Sequence, residues 1–186
     1  MEAGLGDLAG RPPVTRAGAR PGDVVVLAGT AGCAAAGLAL LESNHHHASL
    51  QPELRALMET QCRPRPPLEA GPAAAGAGAT AMMDVSDGLV RDALRLASAS
   101  SVRIDFNPAA LQRLAQPLRP AAELLHADPL GWVLGGGEDH GLLATVNPNV
   151  MPLPGFAAVG SVEAGLAEVT VGSLPPADVG WDHFAD

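Results

Sequence analysis

The sequence predicts a mixed α/β fold (α+β), in which helices pack on one mixed sheet, and three patterns support this. Val24–Ala28 is a continuous apolar, mostly β-branched run, as expected of a central strand buried on both faces. Residues 101–106 alternate apolar and polar side chains, which is typical of a half-buried strand. Residues 89–97 repeat apolar side chains at helical spacing, which predicts an amphipathic helix with Asp92 and Arg95 on its polar face.

The remaining elements follow from similar patterns. Gly29 and Gly32 predict a tight turn from the first strand into an Ala-rich helix over residues 33–41. Residues 63–79 leave a helix possible but are rich in Pro and Gly, which oppose one. Further strands are predicted over residues 79–83, 142–146, 157–162 and 168–171, and further helices over residues 52–59, 108–114 and 121–126.

Length and composition fit one globular core. The chain has 186 residues, of which 47% are hydrophobic, 17% charged and only 3% aromatic, so Ala, Val and Leu must build the core. Twenty acidic against eleven basic residues give a net charge of −9, which argues against a nucleic-acid surface. Cys33 and Cys62 lack metal-site spacing and are predicted to be buried or idle thiols.

The sequence predicts neither a membrane span nor an export signal. No stretch reaches the roughly 18 apolar residues of a membrane span, and the first residues lack the pattern of a signal peptide. The sequence therefore predicts a cytoplasmic protein with no membrane partner. His45, His46 and His47 are predicted to lie in a solvated loop, with adventitious metal binding as the alternative.

Two carboxylates, Asp84 and Asp87, come where the strand over residues 79–83 gives way to the helix that begins at Leu89. Mg²⁺ prefers carboxylate oxygens and commonly adds phosphate ligands, so these two acids are candidates to hold it. Ser86 or Asp87 is predicted to cap the helix, whose first amides could receive an anion. The alternative is an ordinary helix start, with one acid as the cap and the other in solvent.

A second acidic turn follows three glycines, at Glu138 and Asp139. Glycines remove side chains from a turn, so its backbone could approach a ligand closely while the acids face a cationic group. A plain tight turn with its acids in water is equally consistent with this pattern.

Together these motifs resemble the carboxyl-terminal part of thiamine-monophosphate kinase. The resemblance rests on residues 84–89 and 135–140, a third block over residues 15–41, and Trp181 after Gly180. It implies the carboxyl-terminal domain fold of the aminoimidazole-ribonucleotide-synthetase-like (AIR-synthase-like) superfamily over residues 21–186. Residues 1–20 would be the remnant of an amino-terminal domain and its linker.

The resemblance also implies a reaction and a set of site residues. In this family the γ-phosphoryl group of ATP moves directly onto thiamine monophosphate, with Mg²⁺ offsetting the repulsion between the two anions. The residues at matching positions are Arg16 and Ser86 for ATP, Asp84 and Asp87 for Mg²⁺, and Glu138 and Trp181 for the thiamine substrate. None of them is expected to act as a nucleophile.

The family's amino-terminal domain supplies further metal ligands and most of the homodimer contact. We therefore expect the 186-residue chain alone to transfer phosphate poorly and to be monomeric or prone to aggregation. Two other hypotheses remain open: another ATP-dependent enzyme of the superfamily, or a non-catalytic remnant that binds a nucleotide or a partner. Ala34, where the family usually has serine, favours the remnant.

Overall fold

The computed structural model describes residue 8 and residues 10–43 and 50–176. The predicted histidine loop and the predicted substrate residue Trp181 lie outside the described residues. In the described part, helices pack on one mixed sheet, which confirms the predicted fold class. No helix in this part is long and apolar enough to cross a membrane.

Six strands within the described residues form the sheet. They are β1 Val24–Ala28, β2 Ala81–Val85, β3 Arg103–Phe106, β4 Gly141–Val146, β5 Phe156–Glu163 and β6 Glu168–Val171. Their order across the sheet is β2-β4-β1-β5-β3-β6. β3 and β6 pair in parallel, and every other neighbouring pair is antiparallel. The carboxyl ends of β1, β2, β3 and β6 therefore meet at one edge, together with the amino ends of β4 and β5.

Seven α-helices connect and cover these strands in the described residues. They are α1 Cys33–Glu42, α2 Pro52–Cys62, α3 Ala70–Gly76, α4 Leu89–Ser100, α5 Pro108–Ala115, α6 Arg119–Leu125 and α7 Pro129–Gly135. Short 3₁₀ turns add Gln116–Leu118 and Pro148–Val150.

Two helices depart from the predictions. Residues 70–76 form α3 despite the proline and glycine there. Pro72 lies in its first turn, where a missing N–H costs nothing, and Gly76 is its last residue. Residues 129–135, for which no helix was predicted, form α7. The Asp128 carboxylate caps it by accepting the Leu130 N–H at 3.0 Å.

Strand β1 is buried on both faces, which explains its uninterrupted apolar sequence. Val25 and Leu27 belong to the larger core cluster, which includes residues of α1, α2, α4, α5, α6 and α7. Val26 points into a smaller cluster on the other face, with Ala74 of α3. All three side chains are at most 2% exposed, so a polar residue at any of these positions would lose its hydration.

Candidate functional site

Three loops meet at the edge of the sheet where β1 and β2 end and β4 begins. Strand β4 lies between β1 and β2 and runs opposite to both, so Ala28 and Asp84 both pair with Leu142. The turn over residues 29–32 follows β1, and the loop over residues 86–88 follows β2. The glycine loop over residues 135–140 comes directly before β4. The fold therefore brings motifs that are distant in sequence to one place.

Glycine residues allow these loops to pack closely against each other. A Cβ added at Gly137 would overlap the backbone carbonyl oxygen of Ser86. A Cβ added at Gly88, whose φ is +124°, would lie 2.8 Å from the carbonyl oxygen of Gly135. At Gly137 and Gly88 the missing side chain therefore allows the two loops to pack against each other, and access of a ligand to the glycine run stays a prediction.

The glycine loop presents Glu138 at the surface. The Glu138 N–H donates to the Ser86 carbonyl oxygen at 2.9 Å, and its φ is +68°, a left-handed conformation that few non-glycine residues adopt. Its side chain is 65% exposed, and its Oε2 lies 3.5 Å from His140 Nε2. The structure thus places Glu138 beside the Ser86 loop, and its contact with substrate stays a prediction.

Asp139, which the sequence predicted beside Glu138 as an acid facing a ligand or the solvent, is instead the buried acid of the glycine loop. One carboxylate oxygen accepts the Thr30 hydroxyl at 2.6 Å and the Cys33 N–H at 3.1 Å, and the other accepts the Ala34 N–H at 3.2 Å. Burial raises its pKa, although these hydrogen bonds oppose the shift. Asp139 therefore caps α1 from a distance, because the N-cap residue Gly32 has no side chain.

The cysteines behave as predicted. Neither Cys33, which is buried, nor Cys62, which is exposed, forms a disulfide. Burial and the adjacent Asp139 carboxylate raise the pKa of the Cys33 thiol to about 11, against the usual effect of a helix amino terminus. Cys33 is therefore an uncharged core residue at neutral pH.

A second buried carboxylate organises the loop before α4. Asp92 was predicted on the polar face of the helix, but it is 0% exposed. Its Oδ2 accepts the N–H groups of Ser86 and Asp87 at 2.8 and 2.9 Å. The prediction that Ser86 or Asp87 caps α4 is wrong, because Gly88 is the N-cap and Asp92 reaches back to the loop.

Arg95 connects this buried acid to a predicted metal ligand. Its Nη1 lies 2.5 Å from Oδ1 of Asp92, and its Nη2 lies 2.6 Å from Oδ2 of Asp87. The hydrogen bond to Asp87 is the main cause that raises the pKa of Arg95, and its contacts with Asp92 act in the same direction. One guanidinium thus bridges two carboxylates, one buried and one at the loop.

Asp84 and Asp87 are the two predicted magnesium ligands. Asp84 is exposed at the end of β2, and Asp87 is half-buried. Within the described residues, no group of three or more His, Cys, Asp or Glu side chains is placed to hold a metal ion. Since Mg²⁺ commonly takes one or two carboxylates and completes its shell with water and phosphate, the pair remains a prediction for a site that a phosphate would complete.

Arg16 lies at the opposite end of α4 from Ser86. The Ser100 hydroxyl donates to the Arg16 carbonyl at 2.9 Å and accepts the N–H groups of Gly18 and Ala19 at 3.1 Å each. The exposed Arg16 side chain borders an open cleft of about 860 Å³ along α4, which Arg95 also lines. The structure therefore places the Arg16 backbone at the carboxyl end of α4 and Ser86 before its amino end, while the Arg16 side chain borders a cleft that runs along the helix.

Comparison with known proteins decides the family. Residues 20–150 match the family described as AIR synthase related protein, C-terminal domain. This chain belongs to that family. The match covers more than half of the sequence and includes the three loops described above.

Relatives of this AIR synthase related chain share one name. Thiamine-monophosphate kinase from Mycobacterium tuberculosis is 42% identical over 184 residues, which cover 98% of this chain and 53% of that protein. The one from Corynebacterium glutamicum is 40% identical, over 97% of this chain and 54% of that protein. The chain thus spans about half the length of these curated relatives, and the resemblance drawn from its motifs is confirmed.

A solved structure agrees with the sequence matches. The structure of AaThiL complexed with AMPPCP and TMP has a TM-score of 0.80 and 35% sequence identity to this AIR synthase related chain. The similarity covers 92% of this chain and 54% of that one.

Proposed function

We propose that this chain is the carboxyl-terminal part of a thiamine-monophosphate kinase, which phosphorylates thiamine monophosphate to thiamine diphosphate with ATP. The observation that carries the proposal is the 42% identity to such a kinase across 98% of the chain. The AaThiL complex with AMPPCP and TMP supports ATP and thiamine monophosphate as the ligands. We also propose that residues 1–20 are the remnant of an amino-terminal domain and its linker. Residues 21–186 would then form the AIR-synthase-like carboxyl-terminal domain.

The proposed roles follow from the chemistry of each side chain. The Arg16 guanidinium can hold two phosphate oxygens at once, and the Ser86 hydroxyl can donate to a third. An exposed carboxylate such as Glu138 favours a cationic thiazolium, and an indole can stack on it. We propose Arg16 and Ser86 for ATP, Asp84 and Asp87 for Mg²⁺, and Glu138 and Trp181 for the thiamine substrate.

The reaction asks the protein mainly for positioning and charge compensation. Both reactants are anionic and the chain carries a net charge of −9, so their approach must be offset by cations and amides. Bound Mg²⁺ would supply part of that compensation. The protein residues would hold the acceptor phosphate in line with the γ-phosphoryl group, so no covalent enzyme intermediate is needed.

Residues outside this chain are proposed to complete the site. The relatives are about twice as long, and the described residues contain no group of three or more His, Cys, Asp or Glu side chains placed to hold a metal ion. We therefore expect the 186-residue chain to bind ligands while transferring phosphate slowly or not at all. The full-length form is proposed to be a cytoplasmic homodimer.

Tryptophan fluorescence tests the proposed substrate. The chain has two tryptophans, and Trp132 packs against the core while Trp181 is the proposed substrate contact. With MgATP present, thiamine monophosphate should quench the emission of the wild-type chain and of the matched control Trp132→Phe, but not of Trp181→Phe. Glu138→Gln should weaken thiamine monophosphate binding by about two- to fivefold, since an ion pair at an exposed carboxylate contributes up to about 1 kcal/mol.

The same measurement separates the alternatives. Equal or tighter binding of a different phosphate acceptor would favour another enzyme of the superfamily and contradict the proposal. Nucleotide binding with no response to any acceptor would favour a non-catalytic domain. The ion pair that holds Asp87 to Arg95 is the structural feature consistent with that second alternative.

A further inference from the structure

We propose that Asp92 and Arg95 are positioning residues, which hold the loop over residues 86–88 in the shape that binds the metal ion and the nucleotide. This inference rests on the proposed function. It concerns two side chains that neither the sequence motifs nor the comparisons assign to the site.

Asp92 fixes the backbone of the loop. Two consecutive N–H groups, those of Ser86 and Asp87, converge on its Oδ2 at 2.8 and 2.9 Å. On the other side, the Ser86 carbonyl accepts the Glu138 N–H at 2.9 Å. The peptide groups around Ser86 are thus held from two directions, which limits where its hydroxyl can lie.

Arg95 fixes the side chain of Asp87. Because Asp92 is fully buried, its charge requires a partner, and Arg95 provides it at 2.5 Å. The second Nη of the same planar guanidinium lies 2.6 Å from the Asp87 carboxylate. The Asp87 carboxylate, a predicted metal ligand, is therefore oriented by Arg95, which is itself held by the buried Asp92 one helical turn before it.

The chain offers a matched control for a purely structural role. Asp23 is also buried, at 5% exposed, and its Oδ2 accepts the Arg20 N–H at 2.9 Å and the Thr80 hydroxyl at 2.6 Å. It lies before β1, at the opposite edge of the sheet from the three loops. Asp23→Asn therefore disturbs a buried carboxylate of the same kind without touching the loop over residues 86–88.

The test is calorimetric titration of MgATP into the 186-residue chain and its variants, repeated at several Mg²⁺ concentrations. We expect Asp92→Asn to weaken MgATP binding by about tenfold or more and to raise the Mg²⁺ concentration that gives half-maximal binding. Arg95→Lys keeps the positive charge but lacks the planar guanidinium that gives a separate nitrogen to each carboxylate, so it should shift both quantities in the same direction by a smaller factor. Asp23→Asn should lower the unfolding midpoint and leave both quantities within about twofold of wild type.

Amide hydrogen exchange gives a second readout that does not depend on turnover. Exchange at Ser86 and Asp87 should accelerate in Asp92→Asn and stay unchanged in Asp23→Asn. If Asp92→Asn does not fold, the Arg95→Lys titration decides the question.

The outcomes separate this inference from the proposed function. Wild-type binding of MgATP with unchanged Mg²⁺ dependence in Asp92→Asn and Arg95→Lys would overturn the inference alone. An equal loss in Asp23→Asn would also overturn it, because the effect would then be structural. A wild-type chain that binds no MgATP would overturn the proposed function, and the inference with it.

Discussion

The turn before α1 and the loop before α4 are built alike and stabilised differently. Each follows a strand, and each helix begins at a glycine with positive φ, Gly32 at +82° and Gly88 at +124°. Each loop also gives backbone N–H groups to a buried carboxylate. For the loop before α4 that carboxylate is Asp92 of the same helix, whereas for α1 it is Asp139, 106 residues from Cys33.

The two carboxylates differ in how their charge is balanced. Asp92 pairs with a guanidinium, while the hydrogen bonds described for Asp139 come from the Thr30 hydroxyl and two amides. Asp139 joins segments that are far apart in the sequence, so we expect its hydrogen bonds to stabilise the whole fold. Asp92 acts within one loop and helix, so its contribution belongs to the shape of the site.

The largest effect should come from removing the long-range carboxylate. Asp139→Ala leaves the Thr30 hydroxyl and the amides of Cys33 and Ala34 without their acceptor, and we expect a loss of about 3 kcal/mol in the free energy of unfolding. Urea denaturation measures it. The exposed Asp84→Ala is the matched control and should change the free energy by less than about 0.5 kcal/mol. Similar losses of unfolding free energy in the two variants would contradict the proposed role of Asp139 in the stability of the whole fold.

A smaller loss of stability is expected from a substitution where the glycine loop contacts the loop before α4. Gly137→Ala would place a methyl group against the Ser86 carbonyl, and we expect a loss of about 2 kcal/mol from the backbone shift it forces. Gly131→Ala in α7 has open space around its added methyl group and should stabilise the chain by up to about 1 kcal/mol. Thermal unfolding of the pair tests both. A neutral Gly137→Ala would mean that the loops can separate freely.

The smallest expected effect is a pH dependence confined to Asp139. Its pKa is raised above 3.8, the ordinary value, so the folded chain holds this proton more tightly than the unfolded chain. Ionisation therefore reduces stability as pH rises from the unfolded pKa through the folded one. The stability of wild type minus that of Asp139→Asn should fall across this window and then level off, as measured by urea denaturation at a series of pH values. A difference that grows with pH would mean that the pKa is lowered instead.

Local patterns were enough to predict most of the fold. The buried run of β1, the alternation of β3 and the periodicity of α4 each reflect burial that a single element determines, and the structure confirms them. Helix α3 was left doubtful because Pro72 opposes a helix except in its first turn. The sequence does not reveal where that turn lies.

The site was predicted only in part, because its decisive contacts are between elements. The motifs identified Asp84, Ser86, Asp87 and Glu138, and the structure places them at one edge of the sheet. The burial of Asp139 and Asp92 was missed, since a charged residue in a polar pattern gives no sign that its carboxylate turns inward. An aspartate in the first turn of a helix that follows a glycine N-cap is the signal that could have pointed to Asp92.

Helix α4 also sets the distance between the Ser86 loop and the backbone of Arg16. The loop that contains Ser86 precedes the amino end of α4. At its carboxyl end, the Ser100 hydroxyl forms three hydrogen bonds with the backbone of residues 16–19. Twelve residues of helix span about 18 Å, and a helix packed along a sheet hardly stretches. The helix therefore keeps the backbone of Arg16 at a fixed distance from the loop that contains Ser86, and an inserted or deleted turn of α4 would move one relative to the other.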